Sequence, residues 1–156
     1  IILMRKIINI NLTIIIPVYN EKDTIQKLLN KIYKLRNLKK EIIVINDAST
    51  DGAKEILEKN KKRLTLVNHK KNQGKRAAIQ TAQKLVQGDI VLIQDGDLEY
   101  KPSDYHKLLK EIYNGNKVVY GSRVLGKKRH LTHNFSSILR VFYNHVLTII
   151  SNTLNN

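Results

Sequence analysis

Four short apolar runs, rich in β-branched residues, recur along the chain: Leu12–Ile16 (LTIII), Glu41–Ile45 (EIIVI), Leu64–Val67 (LTLV) and Ile90–Ile93 (IVLI). Each is too short for a helix and is bounded by turn-forming residues, so each reads as a strand, buried on both faces where the run is continuous. Between them the apolar period changes. Ile25, Leu28, Leu29, Ile32 and Leu35 make a helical stripe, with Lys27, Lys31, Lys34 and Arg36 on the opposite side. A short helix is expected at about Ala53 to Lys61, with Ile56 and Leu57 inward, and another from Lys75 to about Val86. A further helix begins at Pro102 or Ser103, with Tyr105, Leu108, Leu109 and Ile112 on one side. Strands alternating with helices imply a parallel sheet covered on both sides, an α/β three-layer domain. The expected strand order is 3-2-1-4, with Leu64–Val67 near an edge and a fifth strand at Lys117–Tyr120. Locally, Pro17 should end the first strand, Asn20 should cap the first helix and Gly88 should stop the third.

In open parallel sheets ligands bind at the carboxyl ends of strands. Four loops are expected there, after Ile16, Ile45, Ile93 and Tyr120, and together they offer Tyr19, Glu21, Asp47, Asp95, Asp97 and Arg123. The sharpest stretch is IVLIQDGDLEY, residues 90–100. Asp95 and Asp97 flank Gly96, which lets the backbone bend or approach a ligand. Two hard oxygen donors at a strand end suit Mg²⁺ or Mn²⁺, with a substrate phosphate completing the shell. A solvated acidic turn is the plainer reading of Asp-x-Asp alone. In company with the other loops, a carboxylate can accept a base N–H or a ribose hydroxyl, a ring can stack on a nucleobase and an arginine can reach phosphate oxygens. That set suits a nucleotide-diphosphate donor. Tyr19 packed on Pro17, Asp47 as a helix cap and Arg123 as surface charge are the bland alternatives.

The chain has 156 residues and no cysteine, which excludes disulfides and thiolate metal sites and points to a reducing compartment. Its 28 Lys and Arg against 13 acids give a formal charge of +15. The charge is uneven: from Ile112 to Asn156 there are six basic residues and three histidines with no Asp or Glu. A polyanionic partner fits that asymmetry, either an anionic membrane surface or a phosphorylated substrate. Nucleic acid is disfavoured, because no reading helix or aromatic platform is recognisable. No apolar run reaches the length of a membrane-crossing helix. The five histidines lack ligand spacing and read as structural or solvent-facing.

Five segments in order carry a resemblance: IIIPVYNE at 14–21, INDASTDG at 45–52, NQGK at 72–75, QDGDLE at 94–99 and GSR at 121–123. Together they resemble the family 2 glycosyltransferases, in particular the branch of dolichyl-phosphate mannosyltransferases and polyprenyl-phosphate glycosyltransferases. The resemblance implies the GT-A fold, a Rossmann-like, mostly parallel sheet, with a divalent metal and a GDP- or UDP-hexose donor. By position it implies that Pro17, Tyr19 and Glu21 form the first nucleotide-contacting loop and that Ile45 and Asp47 recognise the base. Asp95, Gly96 and Asp97 match the diphosphate and metal motif, with Glu99 beside the metal. Arg123 matches a donor-phosphate arginine, and Lys75 lies near the donor. Asn46 stands where the family usually has Asp, and Gly96 where Ala is common. Family members continue beyond the point matching Asn156 with a strand and interface helices. The division expected is an extension at 1–11, the nucleotide-sugar domain at 12–133 and an amphipathic helix from Asn134.

The reaction so implied is an inverting displacement that moves mannose or glucose to a polyprenyl phosphate at the cytoplasmic face of a membrane. A hydroxyl acceptor would need a general base, and no carboxylate follows Glu111; a lipid phosphate oxygen is already anionic. A sugar-hydroxyl acceptor in cell-surface polysaccharide synthesis, or nucleotide-sugar binding without catalysis, are the other readings.

Overall fold

The computed structural model describes residues 11–121. The chain divides into two compact units, Ile1–Lys117 and Val118–Asn156. Among the described residues, every regular element lies in the first: β1 (Asn11–Val18), α1 (Lys22–Tyr33), β2 (Lys39–Asn46), α2 (Ala53–Asn60), β3 (Thr65–Asn68), α3 (Lys75–Gln83), β4 (Ile90–Ile93), a 3₁₀ turn at Pro102–Asp104 and α4 (Tyr105–Tyr113). The sheet has the expected order, β3-β2-β1-β4, and all its pairs are parallel.

Alternation along the strands sends side chains to two separate cores. Leu12, Ile14, Ile16 and Val18 of β1 and Ile42 and Val44 of β2 face α1, α2 and α4, where they meet Ile25, Leu28, Leu29, Ile32, Leu57, Tyr105 and Leu109. Ile15, Ile43 and Ile45 face the other way, onto Ala78 and Ala82 of α3. Small residues on α3 let that helix lie close to three isoleucines. Fully burying one such side chain contributes roughly 1.5–3 kcal/mol, so β1, whose apolar side chains are almost wholly buried, is the spine of the domain.

Several local expectations need correction. Pro17 does not end β1; it lies inside it, paired in register with Ile45. The Ile15 carbonyl accepts from Gln94 N on the β4 side, and the Val18 carbonyl accepts from Asp47 N on the β2 side. Two-residue alternation therefore turns Pro17 toward β4, past the last β1–β4 pair, Ile15↔Ile93. Its missing N–H falls where no strand would receive it. Nor is β4 buried on both faces. Val91 and Ile93 are about half exposed, because β4 is the outermost strand among the described residues and its back face lies beyond α3. Lys117–Tyr120 forms no strand. Val118 and Tyr120 are exposed.

Gly88 does not stop α3, which already ends at Gln83. It serves close approach instead. A Cβ at Gly88 would fall 2.5 Å from Thr13 Oγ1 and 2.6 Å from the Asn11 carbonyl oxygen. The Gly88 amide donates to Thr13 Oγ1 and to Glu41 Oε1, each at 3.0 Å, and Glu41 also receives the Thr13 hydroxyl and Gln87 N. Gly88→Ala should therefore cost about 1–3 kcal/mol through overpacking against backbone. Urea unfolding checks this, with a lower midpoint and an unchanged slope. The expected division at 133/134, the basic segment from Val124 and the helix from Asn134 lie outside the described residues.

Candidate functional site

The loops after β1 and β2 are stitched to each other. Asn20 N donates to Ser49 Oγ at 3.0 Å, and Asn20 Oδ1 accepts from Thr50 N at 2.8 Å. Asn20 thus links two loops and does not cap α1, whose N-cap is Glu21. Asp51 takes on the capping work: its carboxylate accepts from Lys22 N at 2.8 Å and from Ala53 N at 2.9 Å, at the starts of α1 and α2. Negative charge at helix N-termini is favourable on both counts. Asn20, Ala48 and Leu98, one in each of three strand-end loops, have positive φ of 56°, 61° and 64°. Such backbone costs free energy for non-glycine residues and concentrates where a site needs a defined shape.

Asp47, directly after β2, is 3% exposed. Its Oδ1 accepts from His69 Nδ1 at 2.7 Å and from Gln73 N at 3.0 Å; its Oδ2 accepts from Gly74 N at 2.7 Å. His69 Nε2 meets the Thr81 hydroxyl at 3.0 Å. Burial by itself would raise the Asp47 carboxyl. The hydrogen bonds from His69, Gln73 and Gly74, with the charge of His69, outweigh it and hold the group below its ordinary 3.8. The carboxylate therefore fixes the turn that opens α3, and a base N–H would join an acceptor already in use.

α3 begins with Lys75, whose Nζ lies 2.5 Å from Asp95 Oδ1. Asp95 starts the loop after β4. Gly96 is packed under Glu21, where an added Cβ would meet Glu21 Cγ at 3.1 Å. Its absent side chain thus makes room for Glu21, whose Oε2 accepts from the Thr24 hydroxyl at 2.6 Å. Asp97 is exposed, and its Oδ1 accepts from Glu99 N at 3.0 Å, closing a tight turn through Leu98. Gln94, before the pair, is buried at 1% exposure and bonded to Tyr105.

One cavity of about 260 Å³ gathers most of the expected residues: Pro17, Tyr19, Glu21, Asp47, Lys75, Asp95, Gly96 and Asp97 line it, with Val18 and Ala78. Tyr19 is half exposed. Two expected residues stand apart. Ile45 is wholly buried against α3, and Glu99 does not line the cavity. Arg123 lies outside the described residues. No three carboxylates or imidazoles among the described residues are gathered closely enough to cage an ion by themselves. The donor set still fits Mg²⁺ or Mn²⁺, which commonly take one or two carboxylates and leave the other positions to substrate phosphates and water. A larger hollow of about 330 Å³, lined by Lys31, Lys34, Leu35, Lys101, Pro102 and Ser103, has neither a carboxylate nor an aromatic ring.

Sequence reasoning missed His69 as a partner of Asp47. The signal was present in the parallel register: Asn46 pairs with Asn68, so the residues that follow them, Asp47 and His69, are neighbours across the sheet edge.

A dolichol-phosphate mannosyltransferase of Pyrococcus furiosus is 32% identical over 114 residues, 71% of this chain and 32% of its own length. A dolichyl-phosphate beta-glucosyltransferase of Trichomonas vaginalis is 33% identical over 154 residues, 88% of this chain and 47% of its own length. The chain thus spans a third to a half of these relatives. A mannosyltransferase of Pyrobaculum calidifontis, solved with GDP-Man and Mn²⁺, superposes with a TM-score of 0.52 at 35% identity, over 55% of this chain and 27% of that one. The sheet order and neighbours of this kind establish a GT-A fold. The pattern of glycosyl transferase family 2 matches residues 13–149, and the chain belongs to that family.

Proposed function

We propose that this chain binds a nucleoside-diphosphate hexose with a divalent cation and transfers mannose or glucose to a polyprenyl phosphate. The observation that carries the reading is the convergence of Tyr19, Asp47, Lys75, Asp95 and Asp97, from separate elements, on one cavity. Tyr19 stacks on the base. Asp47 holds the Gln73–Gly74 turn against the base end and adds negative charge for a base N–H. Asp95 and Asp97 hold the cation, which would neutralise charge gathering on the leaving diphosphate. Lys75, on the same rim, is placed to exchange its partner Asp95 for a diphosphate oxygen. Arg123 is assigned to the donor phosphate by its motif alone.

The chemistry asks little of the protein beyond placement. The bond from the anomeric carbon to the diphosphate oxygen breaks, and its electron pair leaves on the nucleoside diphosphate. An anionic oxygen of the acceptor phosphate forms the new bond from the opposite face, which inverts the configuration. No proton has to be removed. The relatives named for dolichol phosphate support this acceptor class. So does the excess positive charge, since each Lys or Arg close to anionic lipid contributes about 1 kcal/mol. No described helix is long and apolar enough to cross a membrane.

Calorimetry with GDP-mannose and UDP-glucose, each with Mn²⁺ or with EDTA, tests the reading. One donor should bind with Mn²⁺ and lose most of its affinity in EDTA. A transfer assay with polyprenyl phosphate against a sugar-hydroxyl acceptor then separates the acceptor classes. Absence of binding by either donor would end the proposal.

A further inference from the structure

Gln94 joins three parts of the domain through one residue. Its main-chain N–H donates to the Ile15 carbonyl at 2.9 Å, which extends the β1–β4 ladder by one step. Its side-chain Nε2 donates to the Asp95 carbonyl at 2.9 Å and reaches the Tyr100 carbonyl at 3.4 Å, the two ends of the acidic loop. Its Oε1 accepts from the Tyr105 hydroxyl at 2.8 Å, at the start of α4. Tyr105 is 2% exposed and packs within the main apolar core. Burial pushes its hydroxyl far above the ordinary range for tyrosine, so it stays a donor. That fixes which end of the Gln94 amide faces it and leaves the NH₂ for the loop.

A buried polar pair inside an apolar cluster is stable when every group is matched, and no buried side-chain polar atom among the described residues lacks a partner. An apolar pair would fill the same space without that demand. What the polar pair adds is a grip on a loop that does not relax by itself: Leu98 lies in the left-handed region, at φ 64°, and a branched side chain does not rest there unless its surroundings impose it.

We propose that Gln94 and Tyr105 are positioning residues that hold the Asp95–Tyr100 loop in its cation-binding shape before any ligand arrives. The inference rests on the reading of Asp95 and Asp97 as cation ligands. Tyr105 touches neither donor nor cation and acts through Gln94; Gln94 acts through the loop backbone.

Tyr105→Phe alone leaves the Gln94 carbonyl buried without a donor and should lower the thermal midpoint whatever the role of the pair. The double variant Gln94→Met/Tyr105→Phe removes both polar partners and should recover most of that loss, while the loop still lacks the two hydrogen bonds from the Gln94 amide. In the folded double variant, the Glu99 amide, which donates to Asp97 Oδ1, should exchange with solvent about tenfold faster than in the unaltered protein, the effect of losing one hydrogen bond. Amides of β1 should exchange as before. Binding of Mn²⁺ alone, followed by electron paramagnetic resonance, should weaken by a similar factor. A folded double variant with unaltered Glu99 exchange and unaltered Mn²⁺ affinity overturns the inference. If the unaltered protein fails to bind Mn²⁺, the cation reading falls with it, while the exchange measurement still decides whether the pair holds the loop.

Discussion

Asp97→Asn should reduce hexose transfer by about 10³-fold while the domain stays folded. Asparagine keeps an acceptor oxygen for the Glu99 amide, so the turn through Leu98 survives. Because Asp97 is exposed, the change in stability should stay within about 0.5 kcal/mol. What disappears is a negative charge in the cavity that also holds Asp95 and Lys75. Stabilisation of a leaving diphosphate by a bound cation is worth several kcal/mol, hence the size of the expected loss. Steady-state transfer alongside thermal unfolding separates the two effects. Near-normal turnover in the variant would remove Asp97 from the cation site, and a large fall in thermal midpoint would mean that the turn depends on its charge.

The second large effect belongs to Asp47. Asp47→Ala leaves the His69 ring N–H and the Gln73 and Gly74 amides without their acceptor. Breaking one partner of a buried charged network typically costs about 3–5 kcal/mol. The damage should reach donor binding, because the freed turn carries Lys75. The change should also leave a signature in pH. The folded-state carboxyl is held below its ordinary 3.8, so its contribution is complete above that value and is lost as pH falls through the lower folded value. Urea unfolding from pH 7 down to about pH 3 should show the variant's deficit narrowing at the acid end. A deficit constant across that range would mean that Asp47 works through packing and not through its charge.

The sheet order and three of the four strand-end loops could be read from the chain, because isoleucine-rich runs and helical stripes alternate without interruption. Burial of Ile14, Ile15 and Ile16 follows from their central strand. What escaped were features set by who stands beside whom. The IVLI run at Ile90–Ile93 has the apolar content of an inner strand, yet among the described residues it stands at the sheet edge with Val91 and Ile93 half exposed. Gly88 has the look of a helix stop, but its need is set by Thr13 and Asn11, over seventy residues earlier in the chain. Gln94 reads as an ordinary loop polar residue until α4 brings Tyr105 against it. Tyr19, Glu21, Asp47, Asp95 and Asp97 could be picked out because each follows a strand, whereas Lys75, at the start of α3, was named by the family resemblance alone. Ile45 lies inside β2 and was named by the family resemblance alone; its parity on that strand sends it into the core.

Pro17 gives the crevice beside β1 a permanence that side chains alone would not. A sheet can shut a gap by running its ladder further, much as a zipper closes, and the β1 backbone beyond Ile15 would be the natural place to begin. The proline nitrogen carries no proton to offer there, and β4 has already ended opposite it, so nothing draws the two strands together at that point. At the mouth of the site the ladder has no donor with which to go on.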